Sequence, residues 1–497
     1  MAVFRNASLV CSIALLSLLL FTGCGGVNTS SAPASTPTPV PVPGPAPSLQ
    51  SVNHIIFIMQ ENRSFDSYFG KINDYRASLG LGRDVDGLET DFTNPADDGD
   101  LIRTFHLGTS CIFNTSAAWL ESHGNANRFD TSDSAPLLMD GFVHTAGNLA
   151  IFDGDPDTKG VRSMGYFTQA DMPSPYWFAT QFAMSDRFYN PEPAETEATR
   201  LYAMAATSQG LVHPPHDTNT QLTAKTIFQL LDAANISWKV YSVDRQPDGK
   251  LITTLRNFQP YAAGKEDHIV PISQFLTDVQ NNTLPAFSYI EPGFVSGRDE
   301  HPGKTDNPQP GAAFMNSLFV ALINSPSWKD SIFIETFDEN GGLFDHVSPM
   351  IDGRPILELA IGSAGQAIVA GKYPTDAAIQ HVPSPDGIKP RDLIPMKDPV
   401  DDFVRTGFRV PLIIVSPFAK PHYVSHTPMD YTAVLKFVEK RFNLPSLNAR
   451  DAAQADMEEF FDFSSPNLNP PSPASQPTNL TCDATKASGV KGVPFPQ

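Results

Sequence analysis

Cationic side chains are scarce in this 497-residue chain: 34 Lys and Arg stand against 54 Asp and Glu, giving a formal net charge of −20. That balance excludes a protein that grips nucleic acid through a broad cationic face. A compact anionic substrate would need local positive charge or a metal. Cysteine is equally rare, with four residues and none in metal-ligand company, which excludes a thiolate metal centre. Long apolar runs are missing too, since the stretch from Leu15 to Phe21 is too short for an ordinary membrane span. What the chain does have is 41% hydrophobic residues, enough length for one large or two ordinary cores, and 45 prolines gathered in clusters.

The first proline cluster sits behind a targeting segment. Arg5 followed by an apolar run reads as a secretory signal over residues 1–23, and Phe21-Thr22-Gly23-Cys24 resembles the lipobox of bacterial lipoproteins. The expectation is export, with Cys24 acylated and anchored to a membrane, or else simple secretion. Residues 24–50 read as a Pro/Ser-rich tether, 51–463 as the catalytic domain and 464–497 as a Pro-rich tail. With Cys11 in the signal and Cys24 acylated, Cys111 and Cys482 are left to form one disulfide or remain as thiols.

The body alternates strand and helix. Asn53–Met59 is an unbroken apolar run too short for a helix, so it predicts a buried strand ending at Gln60-Glu61-Asn62. Further strands are predicted at Trp238–Tyr241, Ala286–Ile290, Ser331–Phe337 and Val410–Val415. Helices are predicted around Ile227–Ala234, Phe314–Leu322 and Val434–Phe442. This pattern predicts an α/β fold with a mainly parallel sheet covered on both faces, whose chemistry is built at strand carboxyl ends. Residues 70–160 and 360–401 show little periodicity and read as long insertions that wall a site.

Two oxygen-rich pairs follow apolar strands, Glu61-Asn62 and Asp338-Glu339, the second leading into Asn340-Gly341-Gly342. They offer hard ligands for a divalent ion such as Mg²⁺, Ca²⁺ or Mn²⁺, although either pair alone reads more readily as a cap for the next element. Glu300-His301 and Asp345-His346 place histidines beside acids, where an imidazole can protonate a leaving oxygen or hold a substrate oxygen.

Several motifs occur in order: His54 to Gly70, reading HIIFIMQENRSFDSYFG; Met164-Gly-Tyr-Phe-Thr; Asp186-Arg-Phe-Tyr189; Glu300-His-Pro302; Phe337 to Gly342; Phe344-Asp-His-Val347; and Arg409 to Pro417. Together they resemble the bacterial phosphoesterase family that includes non-haemolytic-type phospholipases C and AcpA-like acid phosphatases, over about Val52 to Phe463. The resemblance implies an alkaline phosphatase-like three-layer α/β/α sandwich and a phosphoric ester hydrolase, of acid phosphatase or phospholipase C type. It implies metal ligation by Glu61, Asn62, Thr196, Asp338 and Glu339, with Thr196 as nucleophile and a covalent threonyl-phosphate intermediate. Glu300, His301 and His346 become site residues by the same resemblance. The metal's identity stays open among Mg, Ca, Mn and Zn, as does the choice of phosphate ester or phospholipid as substrate. The segment around Thr196 departs from the family pattern, with Ala194, Glu195, Ala198 and Thr199 replacing glycine, prolines and asparagine, and Ala117 stands where a histidine is common. Two other readings remain: a phosphodiester, sulfate or phosphonate hydrolase of the same superfamily, and a catalytically silent envelope-binding lipoprotein.

Overall fold

Unbroken apolar strands set the architecture of this computed structural model, because a strand buried on both sides must be covered by helices on both faces. The model describes residues 47–483 apart from 111, 133–135, 213, 215–221, 263, 266, 304–306, 351–402 and 404. The expected signal, the tether up to residue 46, Cys24, Cys111 and the second insertion lie outside the described residues.

An eight-stranded sheet runs in the order Tyr423–Ser425, Ala183–Ser185, Leu412–Val415, Ser331–Phe337, His54–Gln60, Phe287–Glu291, Trp238–Ser242, Ile269–Pro271. Seven of these strands point one way. Leu412–Val415 runs antiparallel to both neighbours, so the sheet is mainly parallel, as expected, with one reversed strand inside it. The run Val410 to Val415 is apolar in either direction, so its hydrophobicity carries no sign of polarity. The two central strands, His54–Gln60 and Ser331–Phe337, pair in parallel with Gln60 opposite Phe337, and both are buried almost throughout.

Side-chain alternation assigns the two faces. On one, Phe333 meets Phe319 and Phe275, from the helices Pro308–Ile323 and Ile272–Asn281. On the other, Phe228 of the helix Ile227–Ala233 packs edge-on or tilted against Trp238, Phe287 and Tyr289, which in turn meets Phe57. Burying each such side chain contributes about 1.5–3 kcal/mol relative to exposure. Local signals start the helices. Thr226 and Gln229 form a capping box, Asn307 caps a helix whose first residue is Pro308, and Asp430 caps Tyr431–Phe442, which closes on a left-handed Asn443.

The first insertion is more ordered than its weak periodicity suggests, with helices at Ile72–Ser78, Trp119–Ala126 and Phe142–Asp153. It reaches the sheet's carboxyl end: the Thr115 hydroxyl donates to the Gly341 carbonyl, and Gly342, at φ +65°, has Ser116 O 2.4 Å from where a Cβ would stand. Residues of the expected tail also lie against the body. Trp328 Nε1 donates to Asn467 O at 3.3 Å, Leu480 N to Gln309 Oε1 at 2.8 Å, and Asp483 N to Thr109 Oγ1 at 2.8 Å. Among the described residues no helix is long and apolar enough to cross a membrane.

Candidate active site

The face that carries Phe57 and Tyr289 also carries the acids at the strand ends. Counting by twos from Phe57 leads to Glu61, from Tyr289 to Glu291, and from Ile334 to Asp338. All three reach one guanidinium: Arg200 Nη2 lies 3.2 Å from Glu61 Oε1, Nε 3.1 Å from Asp338 Oδ2 and Nη1 3.6 Å from Glu291 Oε2. All four residues are buried. Burial opposes the charge on Arg200, yet Asp338 and Glu61 outweigh it and hold the guanidinium above its ordinary pKa.

One cation does not balance this cluster. Burial first, then the charge of Asp338, pushes the Glu61 carboxyl well up, with Asp299 and Glu197 adding to the repulsion. Burial raises Asp338 against the pull of Arg200 and His301. Glu339 is raised well above its usual range by burial, Asp338 and Glu195, and its carboxylate accepts from Gly341 N–H. Asn62 Oδ1 is buried and, among the described residues, accepts no hydrogen bond. Gly341, at φ +66°, brings the turn so near that a Cβ there would stand 2.7 Å from Asn62 O. These residues fit a divalent cation: hard oxygens, mutual repulsion that a metal removes, and a buried carbonyl oxygen still to be satisfied.

Thr196 is the first residue of the helix Thr196–Ala205, the same helix that sends Arg200 inward one turn later. It is half-buried, and its neighbours are close to the acids: the charge of Asp338 helps to raise Glu197, and that of Glu195 helps to raise Glu339. No hydrogen bond joins the Thr196 side chain to the acids among the described residues. A helix N-terminus at this position presents N–H groups and a partial positive charge suited to a phosphoryl oxygen.

Over residues 52–445 the chain matches the model of the Phosphoesterase family. It belongs to that family. Phospholipase C B of Mycobacterium tuberculosis is 28% identical to it over 503 residues, covering 90% of this chain and 87% of that protein. Non-hemolytic phospholipase C of Pseudomonas aeruginosa is 29% identical over 89% of this chain, which spans 62% of that longer protein. Non-specific phospholipase C3 of Arabidopsis thaliana is 25% identical, over 85% of this chain and 76% of that one. Among solved structures, the chain is similar to a protein in the alkaline phosphatase superfamily from Vibrio parahaemolyticus, at 12% identity and a TM-score of 0.30, over 60% of this chain and 72% of that one. The expected enzyme class, a phosphoric ester hydrolase, stands with the family membership.

In this phosphoesterase the expected site residues divide into three places. Glu61, Asn62, Asp338 and Glu339 come together, with Thr196 at the adjoining helix end and His301 near enough to Asp338 to favour its charged form. Glu300 does not face them. Its carboxyl turns inward to Tyr68 Oη at 2.8 Å and, through burial, is pushed up to about 8. His346 lies in a separate group with Asp66, Asp86, Asp345 and Arg409, which shares no hydrogen bond or ion pair with the first among the described residues. Asp66, Asp345 and His346 offer ligand atoms within 4.8 Å of one another. They are already charge-balanced, however. Arg409 lies 3.1 Å from Asp66 and 2.9 Å from Asp345, while the two His346 nitrogens lie 2.6 Å from Asp66 and 3.0 Å from Asp86. Burial works against the imidazolium, but Asp66 and Asp86 hold its pKa up at about 9.

Sequence reasoning missed Arg200, Glu291 and Asp299 as members of the cluster. The signal for Glu291 was available, since it ends an apolar strand just as Asp338 follows one.

Proposed function

We propose that this phosphoesterase is a metal-dependent phospholipase C-type enzyme that cleaves the phosphoester bond on the diacylglycerol side of a phospholipid, with Thr196 as nucleophile. The observation that carries the reading is the buried set Glu61, Asn62, Asp338 and Glu339, whose acids Arg200 offsets only in part, adjoining the helix end that bears Thr196. The phospholipid rests on the relatives named above, whose lengths this chain matches closely in the mycobacterial case.

A divalent cation held by Glu61, Asn62, Asp338 and Glu339, with Thr196 as a further ligand, would lower the hydroxyl pKa of Thr196 and offset charge on the phosphoryl oxygens. The Thr196 hydroxyl gives up its proton to solvent, Oγ1 attacks phosphorus as the diacylglycerol oxygen departs, and His301 gives that oxygen its proton and regains one from the water of the second step. The helix N-terminus holds the equatorial oxygens during the transfer. Water then attacks the threonyl-phosphate ester from the side the alcohol left, freeing the phosphorylated head group and restoring the hydroxyl. Arg200 keeps Glu61 and Asp338 in place behind the reaction rather than touching the substrate, because its three nitrogens are engaged with buried carboxylates.

We further propose that the protein is exported, that Cys24 carries a lipid anchor, and that Cys482 pairs with Cys111. Hydrogen bonds from Thr109 and Ser110 to Thr481, at 3.2 and 3.3 Å, support that pairing.

A substrate panel tests the reading: phosphatidylcholine, an aryl phosphate, an aryl sulfate and an aryl phosphonate, each with and without chelator. Chelator-sensitive release of diacylglycerol from phosphatidylcholine supports it. A preference for sulfate or phosphonate, or no turnover of any ester with metal supplied, contradicts it.

A further inference from the structure

The segment that leaves the central strand holds a second loop carbonyl by carbonyl. Gln60 Nε2 donates to Arg298 O at 3.2 Å, Glu61 N to Asp299 O at 2.6 Å, and Arg63 Nη2 to Glu300 O at 2.5 Å. At the end of this clamp Glu300 adopts φ +73°, the left-handed region that crowds the Cβ of an L residue and needs support from its surroundings. The support comes from its buried side chain. Tyr68 Oη donates to Glu300 Oε2 at 2.8 Å and Gln60 Nε2 reaches Oε1 at 3.5 Å. Space for that inward turn is left by Gly311, where a Cβ would stand 2.3 Å from Glu300 Cγ. Tyr68 itself is buried and wedged between Phe69 and Phe337, with ring centroids 5.0 Å away on each side, so its hydroxyl has a fixed aim.

The turn at Glu300 decides what its neighbours face. With the Glu300 side chain committed inward, its neighbours stay on the stretch that Glu61 N–H holds through Asp299 O at 2.6 Å, where His301 N donates to Asp299 Oδ1 at 3.3 Å and the imidazole is near enough to Asp338 and Asp299 to favour their charged forms.

We propose that Tyr68 is a positioning residue for His301: its hydrogen bond to Glu300, seconded by Gln60, holds the left-handed turn that presents the imidazole to the leaving oxygen. This rests on the proposed role of His301 as donor to that oxygen. Tyr68 touches neither the substrate nor the acids, so its effect on catalysis passes through Glu300 and the loop.

The test is a double-mutant cycle on the full chain loaded with metal, reading kcat and KM for two substrates. Phosphatidylcholine has a poor alcohol leaving group that needs a proton, whereas p-nitrophenylphosphorylcholine has a leaving group that departs without one. Tyr68→Phe is expected to lower kcat on phosphatidylcholine by about tenfold with KM unchanged, and to leave the nitrophenyl ester within about twofold. In a His301→Ala background the same substitution is expected to cost nothing more. Glu300→Gln, which keeps an acceptor for Tyr68, should retain most of the activity that Glu300→Ala loses. Equal losses on both substrates, losses that add in the His301→Ala background, or wild-type kinetics for Tyr68→Phe would each overturn the proposal while the wild-type enzyme remains active. An inactive wild type would instead overturn the functional reading, and the proposal with it.

Discussion

Arg200 Nε lies 3.1 Å from Asp338 Oδ2, and the helix that carries this arginine begins four residues earlier at Thr196. A single helical turn therefore links the proposed nucleophile to the acids of the proposed metal site. Glu61 and Glu291 share the same guanidinium, so removing it takes a cationic partner from three buried carboxylates. Arg200→Gln is expected to destabilise the metal-free protein by about 3–5 kcal/mol in urea unfolding, with added divalent metal restoring part of the loss. A loss under about 1 kcal/mol would show that the ion pairs carry little of the stability.

The two acidic groups make opposite predictions about metal. Asp338→Asn removes a charge from the unbalanced cluster, and bound metal measured on the dialysed protein is expected to fall at least about tenfold in affinity. Asp345→Asn acts on a group that Arg409 already balances, and metal content should stay at the wild-type level. The reverse outcome would move the metal to Asp66, Asp345 and His346.

His346 gives the fold a pH dependence of definite sign. Its folded-state pKa of about 9 lies above the ordinary value of 6.5, because Asp66 and Asp86 outweigh burial. The imidazolium then contributes stability that is fully present below pH 6.5 and fades as pH rises through 9, on the order of 3 kcal/mol. The stability gap between wild type and His346→Gln should narrow across that window in denaturant titrations from pH 6 to pH 10. A gap that stays constant would mean the histidine is neutral throughout.

Much of this was legible in the residues and some was not, for physical reasons. Apolar runs that end in acids marked the central strands and placed Glu61, Asn62, Asp338 and Glu339 at their carboxyl ends. Strand direction was hidden at Leu412–Val415, since an apolar run has no polarity. Which of Asp299, Glu300 and His301 faces the cluster depends on one left-handed backbone angle and on a tyrosine 232 residues away in sequence. His346 was placed by its motif beside the chemistry, but the partners that hold it, Asp66 and Asp86, come from 280 and 260 residues earlier, and only the folded loops bring them together.

Turnover of phosphatidylcholine by Thr196→Ala, measured beside wild type with metal supplied, tests the central claim most directly. The substituted residue is half-buried at the start of a helix, so the fold should be unaffected, and metal is supplied in excess because the substitution also removes a proposed ligand. The account predicts that kcat falls by at least about a thousandfold, and that Thr196→Ser recovers a measurable share of it. A Thr196→Ala protein that releases diacylglycerol at the wild-type rate would contradict it.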